Sequence, residues 1–177
     1  ATFTADVAES LRANGHDVVV AAMVDEADDL APGATYRIQQ SSHASATSVA
    51  LALSTDVEVV LVEHEFGIFG GDSSVLASFT SALSVPYVIT MHTVLGPFEA
   101  WQREALAEPL AGAALIFAFS EQAVALLVEQ FVDVAPRCRV VPHGSPTAMY
   151  RSKDPELRRV VGLPKDAKVM TTFGLLS

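Results

Sequence analysis

A doubly wound α/β domain, a parallel sheet with helices on both faces in the Rossmann-like manner, is the architecture this sequence predicts. Apolar runs rich in Val and Ile recur along the chain, and segments of helical periodicity alternate with them, which is the signature of parallel βαβ units. Size agrees: 177 residues, half of them hydrophobic, are about one domain with a sizeable core.

The elements follow in order. Phe3, Val7 and Leu11 recur every four residues on one face of an opening helix, and Gly15 supplies its left-handed carboxyl-terminal cap. Strands are predicted at residues 17–23, 57–62, 87–91, 114–119, 139–142 and 168–173, with helices between them. The acidic, turn-prone stretch 25–42 holds one short strand at 36–39. Asp72 and Ser120 stand at helix N-cap positions ahead of VLASFTSAL and EQAVALLVEQF. Pro97 suits a helix start, and a short helix is predicted at 155–161. No internal repeat is evident.

A doubly wound domain normally opens with a strand, whereas this chain opens inside what reads as the first helix, so truncation at both ends is expected. Residues 1–145 form the predicted amino-terminal domain, 146–166 a linker, and 167–177 the first strand of a second domain whose remainder is absent. The alternative is a single domain that adds this last strand to its own sheet edge.

Composition narrows the partners. A net charge of −10 suits neither nucleic acid nor an anionic membrane surface, both of which reward clustered Lys and Arg. The longest uncharged apolar run, residues 110–119, is far short of the roughly 20 residues of a membrane span, and ATFTADVAES lacks the features of a secretory signal. Cys138 is the lone cysteine, which leaves no disulfide framework or thiolate cluster and fits a reducing cytoplasm. It reads as an ordinary thiol at a strand start; a pKa lowered by its neighbours Arg137 and Arg139 is the alternative.

Polar residues gather at one edge of the predicted sheet. His64, His92, Ser120 and His143 fall at or just beyond the carboxyl ends of VLVEH, VITMH, FAFS and VVPH, where open α/β sheets bind ligands. His16 and His43 lack that placement and read as surface residues. Each candidate also has a plainer reading. Glu63, His64 and Glu65 form a solvated charge cluster in the default case. Gly67, Gly70 and Gly71 either make turns or let backbone N–H groups approach a ligand at a helix N-terminus. Asp72 at the cap argues against an anion there and for a neutral, hydroxyl-rich ligand. Phe66 and Phe69 either stack on sugar rings or pack beneath the loop, with at least one of them in the core. His92, followed by Thr93, either faces a ligand or bonds a neighbouring carbonyl. Ser120 reads as a helix cap, not a nucleophile. His143 and Gly144 belong to a sharp Pro-Gly-Pro exit that either displays the histidine or serves as hinge.

The segments VEHEFGIFGG, VITMHTVLGPF, FAFSEQAVALL, RVVPHGSP and VMTTFGLLS, in this order and spacing, resemble the group-one (family 4) retaining glycosyltransferases of GT-B fold, from Ala1 to Ser177. The resemblance implies two facing Rossmann-like domains: an amino-terminal one for the acceptor, represented here, and a carboxyl-terminal one for the nucleotide-sugar donor. It implies that His92 lies near the donor sugar, that His143 and Gly144 form a strand-end hinge facing the cleft, and that His64 with the loop from Phe66 through Gly67 and Phe69 to Gly70 and Gly71 lines the acceptor side. Thr93 and Ser120 join the substrate-binding set. Glu63 stands where Gln is common and Ser145 where an apolar residue is usual, which makes acceptor specificity less transferable.

The function implied is retaining transfer of a hexose, mannose or glucose among the candidates, from a nucleotide-diphosphate sugar to a sugar or lipid-linked hydroxyl. No cofactor or essential metal is expected, and this piece alone is expected to be inactive, with no catalytic residue assigned within it. Such chemistry needs positive charge on the departing diphosphate and stabilisation of an oxocarbenium-like sugar. Two other classes stay open: a metal-dependent hydrolase using the strand-end histidines, although no H-E-x-x-H spacing is present, and a non-catalytic carbohydrate-binding or scaffold domain.

Overall fold

The computed structural model describes residues 2–25, 32–69, 74–144, 155–164 and 166–169. The chain divides into two compact units, Ala1–His143 and Gly144–Ser177. In the first unit, helix α1 (Thr2–Ala13) leads to β1 (Ala21–Val24) and β2 (Tyr36–Gln39), and α2 (His43–Asp56) follows. Three βα repeats and a closing strand then run β3 (Val60–His64), α3 (Val75–Ala82), β4 (Tyr87–Met91), α4 (Ala100–Gly112), β5 (Leu115–Ala118), α5 (Glu121–Gln130) and β6 (Cys138–Val140).

All strand pairs are parallel, as the alternation of strands and helices predicts, and the sheets are flanked by helices. Among the described residues, however, the strands form two hydrogen-bonded sheets, β1-β2 and β3-β4-β5-β6, where the sequence predicts one. No ladder joins β1 or β2 to β3. Both sheets nevertheless feed one hydrophobic core, in which Ile38 of β2 lies in the same cluster as Val60 and Val62 of β3, Ile89 of β4 and Ile116 of β5.

Local sequence explains most element ends. Gly15 ends α1 at φ +89°, donating to the Arg12 carbonyl while the His16 N–H reaches back to Leu11, a paired closure that a left-handed residue permits. On the expected face of α1 Phe3 and Val7 are half-buried and Leu11, near its end, is exposed, while the neighbouring Ala8 is buried. Ser42 caps α2 by accepting from the Ser45 N–H. The start of α4 lies beyond Pro97, at Ala100, because Gln102 Oε1 accepts from the Glu99 N–H at 2.8 Å and fixes the first turn there. Ser74 is the N-cap of α3; Asp72, the expected cap, lies outside the described residues.

The carboxyl end of α4 is closed by a distant side chain. Arg137 Nη1 donates to the carbonyls of Leu110 and Ala113, each at 2.6 Å, and to that of Ala111 at 3.1 Å. These include carbonyls that no helical N–H can reach. Arg139 likewise spends its guanidinium on the Pro136 and Cys138 carbonyls. Cys138 itself is buried, and desolvation raises its thiol pKa against the pull of both arginines, so the ordinary-thiol reading holds.

The second unit contains helix α6 (Pro155–Val160), close to the predicted 155–161. The Arg158 Nη1 donates to the Pro164 and Ala167 carbonyls, both at 2.9 Å, folding the chain back on the helix. Most of the strand expected at 168–173 lies outside the described residues; Lys168 and Val169 are not in a strand.

Candidate functional site

The carboxyl ends of β3, β4, β5 and β6 lie side by side, and the register fixes which residues meet there. Glu63 is opposite Thr90 and His64 opposite Met91, and the His92 N–H donates to the His64 carbonyl at 3.1 Å, one step beyond the ladder. Alternation along β3 separates its last residues. His64 turns to the buried face with Val60 and Val62, while Glu63 lies on the other.

His92 is the centre of one cluster. Its Nε2 lies 2.8 Å from Glu63 Oε2, and the two side chains are only 21% and 13% exposed. Phe3 of α1 packs edge-on against the imidazole, with ring centroids 4.6 Å apart, and Phe119, just past β5, does so at 5.1 Å. His143, past β6, closes the group, 4.9 Å from Phe3 and 4.7 Å from Phe119. Thus the ends of four strands converge, β3 through Glu63, with His92 and His143 6.5 Å apart.

His64 belongs to a second cluster. It is 2% exposed, stacks on Phe69 at 5.8 Å, and meets the edge of Phe66 at 4.9 Å. Burial lowers its pKa to about 4, with Glu65 opposing and His92 reinforcing that shift, so the ring is neutral near pH 7. Its Nδ1 is buried and has no hydrogen-bond partner among the described residues. Phe66 is half-buried against Phe98 and Trp101, and Phe69 is buried in the core, so one of the two loop phenylalanines packs beneath the loop as expected.

The loop after β3 is held at its root. Glu65 accepts the Phe66 N–H through Oε1 and the Thr93 hydroxyl through Oε2, and the Ile68 N–H returns to the Glu65 carbonyl at 3.0 Å to close a turn. Just past β2, Gln40 Nε2 donates to the Ile68 carbonyl at 2.9 Å. Gly67 sits in that turn, exposed, with open space where a Cβ would lie. Gly70 and Gly71 fall outside the described residues. Ser120 caps α5, accepting from the Ala123 N–H at 3.1 Å. Gly144 is exposed. His43, set aside as a surface residue, is exposed and its Nδ1 lies 2.7 Å from the Ser78 hydroxyl.

Two acidic residues were underestimated by local reading. Glu63 and Glu65 are not a solvated cluster: each reaches across to the β4 end, to His92 and to Thr93. Glu63 lies on β3 and Glu65 one residue past its end, and a spacing of two in extended backbone places both on one face, which was the available signal. A shallow groove lined by Ser81, Tyr87, Glu108 and Gly112 lies at the opposite, amino-terminal end of β4 and includes none of these residues.

A family model described as Glycosyltransferase Family 4 matches residues 1–148. The chain belongs to glycosyltransferase family 4. No curated protein matches it. Its parallel α/β architecture is that of the Rossmann-like amino-terminal half of the GT-B fold, and the matched span contains every strand-end residue described above. Among the described residues of this family 4 domain, no helix is long and apolar enough to cross a membrane, and no group of three or more His, Cys, Asp or Glu is arranged to hold a metal ion.

Proposed function

We propose that this family 4 domain is the acceptor side of a retaining glycosyltransferase that moves a hexose from a nucleotide-diphosphate sugar to a sugar or lipid-linked hydroxyl. One observation carries the reading: His92, fixed by Glu63 and walled by Phe3, Phe119 and His143, stands at the carboxyl edge of the sheet where α/β ligands bind. Imidazole nitrogens and aromatic faces are the groups that recognise hydroxyls and sugar rings. His92 orients the donor sugar, and Phe66 offers the acceptor a half-exposed flat face beside Thr93. A second domain supplies the positive charge for the departing diphosphate, without an essential metal. The lone buried thiol of Cys138 fits a cytoplasmic setting.

The test is transfer of labelled hexose from a panel of nucleotide-diphosphate sugars by the full-length protein, with and without a chelator. Turnover that survives chelation and drops in His92→Ala is the expected result. Glycan binding with no transfer from any donor would favour a non-catalytic carbohydrate-binding domain.

A further inference from the structure

The Glu63–His92 pair does more than join two strand ends. An ionised carboxylate can only accept hydrogen bonds, so the 2.8 Å contact places the proton of a neutral His92 on Nε2 and leaves the lone pair on Nδ1. Among the described residues Nδ1 of His92 has no hydrogen-bond partner. The edges of Phe3 and Phe119 pack against the ring at 4.6 and 5.1 Å and hold its orientation. Competing charges are turned elsewhere. Glu65 is engaged by Thr93 and the Phe66 N–H, and His64 lies on the buried face of β3, so among the described residues in ring contact with His92 the other titratable side chain is His143.

From this geometry we propose that Glu63 is a positioning residue for the transferase reaction: it locks His92 in the Nε2–H tautomer so that Nδ1 accepts a hydrogen bond from a hydroxyl of the bound sugar. The inference rests on the transferase reading above. A glutamine at position 63 would offer either its carbonyl or its amide to Nε2, and so would not choose between tautomers. The carboxylate chooses.

The experiment has two arms on the full-length protein. In the first, nitrogen-15 imidazole spectra assign the His92 tautomer in the unchanged protein and in Glu63→Gln, with His92→Ala used to identify the signals. A single Nε2–H form that becomes a mixture in Glu63→Gln is the expected result; an unchanged spectrum in the variant overturns the proposal. In the second, kcat and KM for the donor are measured, and Glu63→Gln is expected to lower kcat by about tenfold or more with KM little altered, the scale on which partners of functional histidines act. Urea midpoints confirm that the variant is folded. A mixed tautomer with unchanged kcat overturns the positioning role. If the unchanged protein transfers no hexose at all, the transferase reading falls, and the role proposed for Glu63 in that reaction falls with it. The spectra still decide separately whether Glu63 fixes the ring.

Discussion

The Tyr87 hydroxyl occupies the space a side chain at Gly112 would need: it donates to the Pro109 carbonyl at 2.7 Å, and a Cβ on Gly112 would stand 2.5 Å from it. Tyr87 is buried at the start of β4 and cannot swing away freely. Gly112→Ala is therefore expected to destabilise the chain by about 1–3 kcal/mol, the usual cost of overpacking, despite the better helix propensity of alanine. Tyr87→Phe alone should cost about 1 kcal/mol, the value of one hydrogen bond. Urea unfolding of the two variants and their combination checks the relationship, since the double variant should cost less than the sum. Strict additivity would show that the two residues do not meet.

Arg137 holds the end of α4 through several carbonyls at once. Arg137→Ala should lose roughly 2 kcal/mol, because a charged donor serves groups that no helical N–H reaches. Arg137→Lys should recover only part of that loss, since one ammonium cannot serve both the α4 carbonyls and the Asp133 carbonyl as Nη1 and Nη2 do. The midpoints in urea report both, and equal stability of Lys and Arg variants would contradict the geometry.

His64 makes stability depend on acid in a defined window. Its folded pKa, about 4, lies below the ordinary value of 6.5, so the unfolded chain binds the proton first as pH falls. Above about pH 6.5 neither state is protonated and the residue contributes no slope. Between about 6.5 and 4 stability declines, by as much as roughly 3 kcal/mol, and the decline levels off below. His64→Phe, which keeps a ring beside Phe69, should flatten the profile of unfolding midpoints across that window. An unaltered profile would mean that another group carries it.

Thr93 and Glu65 tie the loop after β3 to the end of β4. Thr93→Val keeps the shape and removes the donor, so the half-buried carboxylate loses one partner, at a cost of about 1 kcal/mol. Amide hydrogen exchange should rise at Phe66 and Ile68, whose N–H groups bond to Glu65. Protection equal to that of the unchanged protein would show that the tie is not structural.

The sequence was most legible where composition and periodicity agree. YVITM is bounded by Pro86 and a polar residue, and β4 covers Tyr87–Met91 as expected. The β3 run misleads at both ends: Val57 is the C-cap of α2 and Val59 is exposed, while the strand continues into Glu63 and His64, which read locally as a charged loop. β1 starts at Ala21 rather than 17, and its pairing with β2 opens where the Val20 carbonyl accepts from Thr35 and Tyr36. The strand-end histidines were visible as positions. Their grouping was not, since pairing Glu63 with His92 requires the register between strands 29 residues apart, and local pattern carries no register. Phe3 and Phe119 were hidden for the same reason.

The two carboxylate ties also bear on the thermodynamics of encounter. Immobilising a loose polar side chain on binding costs about 0.5–1.5 kcal/mol each. At this edge His92 and Thr93 are already held by Glu63 and Glu65, so that ordering cost falls in folding rather than in recognition. Association with a sugar should then show a small entropic penalty at these two residues.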